Sequence, residues 1–309
     1  MNNLLPLMQR EWLQHRFAWA LMVLLPLALS LVVFGIATIE LDDDMTAMAP
    51  QDLALMLASL TVVISVGVML LLFGVTSLFN AIGSPRRDHG DRSIEFWLSL
   101  PSGHAESLVA PLLVHLLLVP LAAVAVGLLA AVPVSMMVVG RVVGFDAWFA
   151  LPWDAIATAA GSTALRLAGG LPLAMAWLLP LLLAAMLANA IFRRWGLPLL
   201  VVAVTLVSIG MDRVFGQPLL VQAIGLLTSH AATSLAGASG GAGVAPDGAA
   251  LDGAGQMQAA LSLLPAWAAR DFAAAVSDLA QPAFVGSCAA SALLFAALLW
   301  WRRRLAAAG

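Results

Sequence analysis

The chain has 309 residues, 62% of them hydrophobic and only 10% charged, with a formal net charge of -3 at pH 7. Soluble domains carry about 25% charged residues, so this composition excludes an ordinary water-soluble fold and indicates an all-α protein that lives in a bilayer. The 14 basic residues are all arginine; without lysine, a phosphate loop of the G-x-x-x-x-G-K-[ST] type is impossible, and ATP hydrolysis by that route must come from another chain.

Residues 1–16 set Leu5, Met8, Trp12 and Leu13 at helical spacing beside Gln9, Arg10, Gln14 and Arg16, the pattern of a helix lying in the membrane interface. The apolar run Phe17 to Ala37 follows, and it exceeds the roughly 7 to 15 residues of a signal-peptide core, so it is read as the first span. The next loop holds Glu40, Asp42, Asp43, Asp44 and Asp52 without a basic residue and is expected outside. A second span runs from about Ala54 to Asn80.

Between the second and third spans, residues 81–108 form the one charged, motif-like segment of the chain. Asp88 or Asp91 can cap a short helix there, and Arg87/Asp91, Asp88/Arg92 and Arg92/Glu95 stack opposite charges at spacings of four, four and three. Ile94, Trp97 and Leu98 share another face, and Pro101 stops the helix near Ser99. The residues alone suit an aromatic ledge lying in the interface as well as one docking a partner.

The run Asp91-Arg92-Ser93-Ile94-Glu95-Phe96-Trp97-Leu98-Ser99-Leu100-Pro101 resembles the cytoplasmic segment of ABC-2 type permeases, the membrane subunits of one class of ATP-binding cassette exporters. In that family an arginine- and aspartate-rich stretch precedes an S-I-x-F-W-x-S-L-P run, and a six-span permease pairs with a separate ATPase. The resemblance implies an ATPase-coupling role for Asp91, Arg92, Ile94, Glu95, Phe96, Trp97 and Leu98. It also implies a second permease chain, an ATPase partner that hydrolyses the ATP, no cofactor on this chain and no enzyme activity of its own. No nucleic-acid partner is expected.

The third apolar run, Val109 to Val139, is longer than the bilayer core requires and carries Pro111, Pro120 and Pro133 as kink sites. From Arg141 to Arg166 the sequence reads as an amphipathic outer loop with Trp148 and Trp153 at headgroup level. A fourth span is expected from Ala168 to Phe192, followed by the inner turn Arg193-Arg194-Trp195. The fifth starts at Leu197 and needs Asp212 and Arg213 in the outer interface to complete a crossing. Residues 214–281 form an outer insertion with helical pieces around Leu219 to Leu227 and around Trp267 and Phe272, joined by a Gly/Ala linker from Ala236 to Gly243. The last span, Ala283 to Trp301, contains the chain's one cysteine, Cys288, and ends in Arg302-Arg303-Arg304.

With both termini inside, Arg10, Arg16, Arg86, Arg87, Arg92, Arg193, Arg194 and Arg302 to Arg304 face the cytoplasm, ten of the 14 arginines. That bias favours six spans with both termini in the cytoplasm, and the resemblance implies a bacterial-type inner membrane. Apart from Cys288, His115 is the one ionisable side chain expected well inside a span, and a hydrogen-bonded packing histidine is preferred to a proton relay. Asn189, Ser65, Thr205 and Ser208 are read as interhelical hydrogen-bonding groups. Gly237-Ala238-Ser239-Gly240 spells the G-x-S-G of intramembrane serine proteases, but it falls in a loose linker with only His230 near it in sequence. No H-E-x-x-H motif or clustered span residues indicate a metal. The alternatives are an ion- or proton-coupled secondary transporter, disfavoured by span interiors nearly free of charge, and a non-transporting sensor or assembly partner.

Overall fold

The computed structural model describes residues 4–36, 45, 48–90, 104–237 and 254–308, and all regular structure among them is helical. Five stretches are long and apolar enough to cross a bilayer: Arg16–Ile36, Pro50–Pro85, Ala105–Val142, Trp153–Phe215 and Pro282–Arg304. The chain is therefore a multi-pass membrane protein, as its composition requires.

A short helix, α1 (Leu4–Gln14), leads into α2 (Arg16–Ile36). Leu7 and Glu11 of α1 turn inward, while Leu5, Trp12 and Leu13 stay exposed. Helix α3 (Pro50–Gly90) is 41 residues long, about 60 Å at 1.5 Å per residue, against a hydrocarbon core of about 30 Å. It runs straight through Pro85. The missing proline N–H leaves the Ala81 carbonyl free, and the Ser84 hydroxyl donates to that carbonyl at 2.9 Å. Helical backbone therefore continues to Gly90, so Asp88 lies inside α3 and not at the start of a new helix. The expected short helix from Asp91 to Ser99 lies outside the described residues.

The third apolar stretch is helix α4 (His104–Leu113), a π-turn at Val114–Leu118 and helix α5 (Val119–Val142). Pro120 cannot donate to the Leu116 carbonyl, and just before it the Val119 N–H reaches back five residues to the Val114 carbonyl. The wide turn falls between two of the three prolines expected to mark kinks, Pro111 and Pro120, and it sets His115 wholly inside the bundle. Helices α3 and α5 share the most extensive seam. It closes at Gly127, where a Cβ would stand 2.6 Å from the Val66 Cα, so only glycine lets the two backbones approach this far.

The expected outer loop before the fourth span is mostly helix. After a one-turn helix, α6 (Phe145–Phe149), helix α7 starts at Trp153 and runs for 40 residues to Phe192. The Trp148 indole N–H donates to Ser135 Oγ at 3.2 Å, and that of Trp153 donates to the Trp148 carbonyl at 3.1 Å, which ties this corner to α5. A 3-10 turn at Arg193–Trp195, with Arg193 at φ 54°, reverses the chain into α8 (Gly196–Phe215). Leu197 and Leu200 then pack against Leu182 and Ala185, so the long apolar stretch from Trp153 to Phe215 is a hairpin of two arms.

Helices α9 (Leu219–Ala236) and α10 (Ala254–Ser277) pack against α7, and α11 (Pro282–Ala308) follows a second 3-10 turn at Asp278–Ala280. Helix α7 is the hub, touching α3, α8, α9, α10 and α11.

Two ends of the bundle can be told apart by what packs there. At one, Leu108 of α4, Leu183 and Met186 of α7 and Leu298 of α11 form a single cluster, with Pro85, Ala190 and Arg302 around it. At the other, Leu53, Leu57 and Ala58 of α3 meet Val138 and Val139 of α5, Leu151, Ile156 of α7 and Leu261 of α10.

Candidate functional site

Chemistry-bearing side chains gather in two places, one toward each end. The first surrounds His115. Its Nε2 lies 3.4 Å from Glu11 Oε2 of α1, and the imidazole is fully buried. His15, half-buried at the junction of α1 and α2, sets its ring edge-on to that of His115 with centroids 5.6 Å apart. Trp19 and Phe73 stack at 5.7 Å and wall the cluster, and Trp19 lies 6.0 Å from His115. His115 Nδ1 and Trp19 Nε1 are buried with no hydrogen-bond partner among the described residues. One ligand atom from each of Glu11, His15 and His115 can be chosen so that all lie within 4.8 Å of one another.

His115 is thus where the sequence put it, buried and hydrogen-bonded. It faces a carboxylate. Sequence reasoning passes over Glu11 and His15 because it assigns their helix to the membrane surface. The available signal is their spacing: residues four apart share a face, so a carboxylate and an imidazole project together.

The second place is Arg166 of α7. The sequence assigns it to an outer loop, yet it is 4% exposed inside the helix. Its Nη2 stands 2.6 Å and its Nε 2.7 Å from Asp271 Oδ2 of α10. Nη1 donates to the Ser234 carbonyl of α9 at 2.8 Å, and Nη2 reaches the Thr233 carbonyl at 3.4 Å. One guanidinium therefore fastens both α9 and α10 to α7. Gly170 permits it, since a Cβ there would meet the Ser234 carbonyl oxygen and stand 2.5 Å from Arg166 Nη1. Nearby, His230 stacks on the buried Trp177 at 4.4 Å and its Nδ1 lies 3.8 Å from Asp278 Oδ2. That histidine is engaged with an aromatic ring and a carboxylate; Ala238, Ser239 and Gly240 of the G-x-S-G stretch lie outside the described residues.

Of the polar span residues, Asn189 bonds between helices, its Nδ2 donating to the Ile82 carbonyl of α3 at 3.3 Å. Thr205 and Ser208 instead donate to Val201 and Val204 of their own helix, at 2.9 and 2.7 Å. A hydroxyl on a helix reaches its own i-4 carbonyl without help from a neighbour. Ser65 lines a small recess between α2, α3 and α5.

Two larger cavities flank α7. One of about 280 Å³ lies between α3, α7 and α10 and is walled by aliphatic side chains with Ser59 and Thr163. The other, about 550 Å³, lies between α4, α7 and α11 and includes Cys288 and Ser291. Such walls suit apolar matter and offer no cluster of charges.

The coupling residues expected from sequence, Asp91, Arg92, Ile94, Glu95, Phe96, Trp97 and Leu98, lie outside the described residues. Their points of attachment do not. Gly90 ends α3 and His104 begins α4. Leu108, one turn into α4, sits in the cluster with Leu298 of α11, one turn before Arg302. Pro85 and Arg302 border one recess, and Asn189, just before Arg193 and Arg194, bonds to Ile82. The arginine-rich helix ends therefore share one end of the bundle. No family model, curated protein or solved structure matches the chain.

Proposed function

We propose that the chain is the membrane-spanning permease subunit of an ATP-binding cassette exporter of the ABC-2 type. In this reading it has six spans, formed by α2, α3, the α4–α5 unit, α7, α8 and α11, and it resides in an inner membrane with both termini cytoplasmic. Two copies form the translocation path and each works with a separate ATPase chain. One observation carries the proposal: the helix ends that bracket residues 91–103 meet the arginine-rich ends of α7 and α11 at one end of the bundle. A segment resembling a family's ATPase-docking ledge thus leaves and returns where the basic residues collect, as the orientation rule requires of a cytoplasmic face. The absence of lysine supplies the complementary argument, since the energy must come from a partner.

Mechanically, closure of the ATPases would be transmitted through Ile94, Phe96 and Trp97 as the packed contact. Asp91, Arg92 and Glu95 would fix its orientation, and Leu98 would back the ledge. Such a contact moves the permease only if its free energy differs between the open and closed ATPase states. The test is Trp97→Ala or Glu95→Ala in the complex with its ATPase. Transport and permease-stimulated ATP turnover should both fall at normal expression; if neither changes, the coupling role is wrong.

A second reading, an ion- or proton-coupled transporter, is favoured by the buried Arg166–Asp271 and Glu11–His115 pairs, which make the interior less bare of charge than the sequence suggests. Collapsing the proton gradient with ATP maintained separates the two. Efflux that persists supports the exporter, and efflux that stops supports the coupled transporter.

A further inference from the structure

We propose that Glu11, His15 and His115 form a three-ligand binding site for a divalent first-row cation of the Zn2+ class, holding α1 and the head of α2 against the π-turn. The inference does not depend on the permease reading.

Two imidazoles and a carboxylate with one position left for water is a donor set that suits Zn2+, which binds His nitrogen and carboxylate oxygen at about 2.0–2.2 Å. In a tetrahedral site such bonds place neighbouring ligand atoms roughly 3.3–3.5 Å apart. Glu11 Oε2 and His115 Nε2 are 3.4 Å apart. A charge-assisted hydrogen bond between them would draw in to about 2.7–2.9 Å. The pair thus stands at the separation of two ligands on one metal rather than that of a closed ion pair. One ligand atom from each of the three residues lies within 4.8 Å of the other two, so closing the set to tetrahedral spacing needs shifts of about 1.5 Å. His15, half-buried at a helix junction, can make that shift by rotating its side chain, while the fully buried His115 stays fixed.

The orphaned Nδ1 of His115 points the same way. The imidazole packs edge-on to the His15 ring and beside the Trp19 indole, so Nδ1 is enclosed with its hydrogen-bonding capacity unused. A neutral imidazole that binds a cation through Nε2 carries its proton on Nδ1, so the metal-bound ring is the tautomer with Nε2 turned to the Glu11 carboxylate. The π-turn provides the rigid third side, and turns of this kind recur at functional sites.

The test uses tag-free full-length protein in detergent, stripped with a chelator and titrated with Co2+ and then Zn2+. The expected result is one equivalent of Co2+ with the intense visible bands of a tetrahedral site, bleached by Zn2+, and a raised thermal midpoint when Zn2+ is present. His15→Ala, at the half-buried position, should lose the bands. So should His115→Gln and Glu11→Gln, each weakening the metal by more than the roughly 10- to 100-fold that loss of an outer partner costs. His89→Ala should bind as the parent does. Circular dichroism checks that each variant folds, and His15→Ala decides the matter if a buried variant does not. Co2+ that gives no tetrahedral bands with the parent protein, or binding unchanged in His15→Ala, overturns the site.

Discussion

The two buried ionisable clusters solve the same problem in opposite ways. The Arg166 guanidinium has N–H donors and no acceptor, and four of its five N–H groups are met, two at Asp271 Oδ2 and one at each of two backbone carbonyls. The His115 imidazole has one partner at 3.4 Å and an Nδ1 unmatched among the described residues. The difference teaches that the guanidinium is held as a structural clamp, whereas the imidazole keeps hydrogen-bonding capacity its neighbours do not use. The clamp joins segments 105 positions apart, and that distance is the point: it fastens α10 to α7, not a local turn.

Breaking the clamp should have the largest effect. Asp271→Asn leaves a buried guanidinium uncompensated and is expected to cost about 3–5 kcal/mol, read as a fall in thermal midpoint by circular dichroism in detergent. The double variant Arg166→Met/Asp271→Leu should recover most of that loss; if it is as unstable as the single variant, the pair is not what destabilises. Gly170→Ala comes next. Its Cβ collides with the Ser234 carbonyl, so α9 must move away, at about 1–3 kcal/mol. Faster proteolysis within α9 with α3 and α5 still protected would show that the damage stays local. At the opposite end Asn189→Leu removes the bond to Ile82 and should cost about 1 kcal/mol, a loss that adds to Gly170→Ala because the sites are far apart. Ser84→Ala, which frees the Ala81 carbonyl beside Pro85, should cost the least, about 0.5–1.5 kcal/mol, with faster amide exchange confined to the end of α3.

The apolar spans were legible because some 20 apolar residues in a row carry their own signal, and the cores of all five long stretches sit where hydropathy puts them. What sequence hides is partnership at a distance. Arg166 looks like a loop residue beside Asp154 and Trp153, because no local pattern says that Asp271 will arrive to neutralise it; once it does, helix α7 can begin at Trp153 and carry a charge indoors. Glu11 is hidden for the same reason. An amphipathic helix read alone turns its carboxylates to water, and nothing local shows that the π-turn 104 positions later brings an imidazole to this one. Asp88 shows the converse: a good capping residue starts no helix when the preceding one does not end, and Ser84 is what keeps that helix going past Pro85. The interhelical reading of Thr205 and Ser208 fails because their own i-4 carbonyls compete with any neighbour.

The single cysteine carries one practical consequence. Cys288 is exposed on the wall of the larger recess, between α4, α7 and α11. A fluorophore or spin label attached to it would report, in the otherwise unaltered polypeptide, whether that hollow is filled or empty.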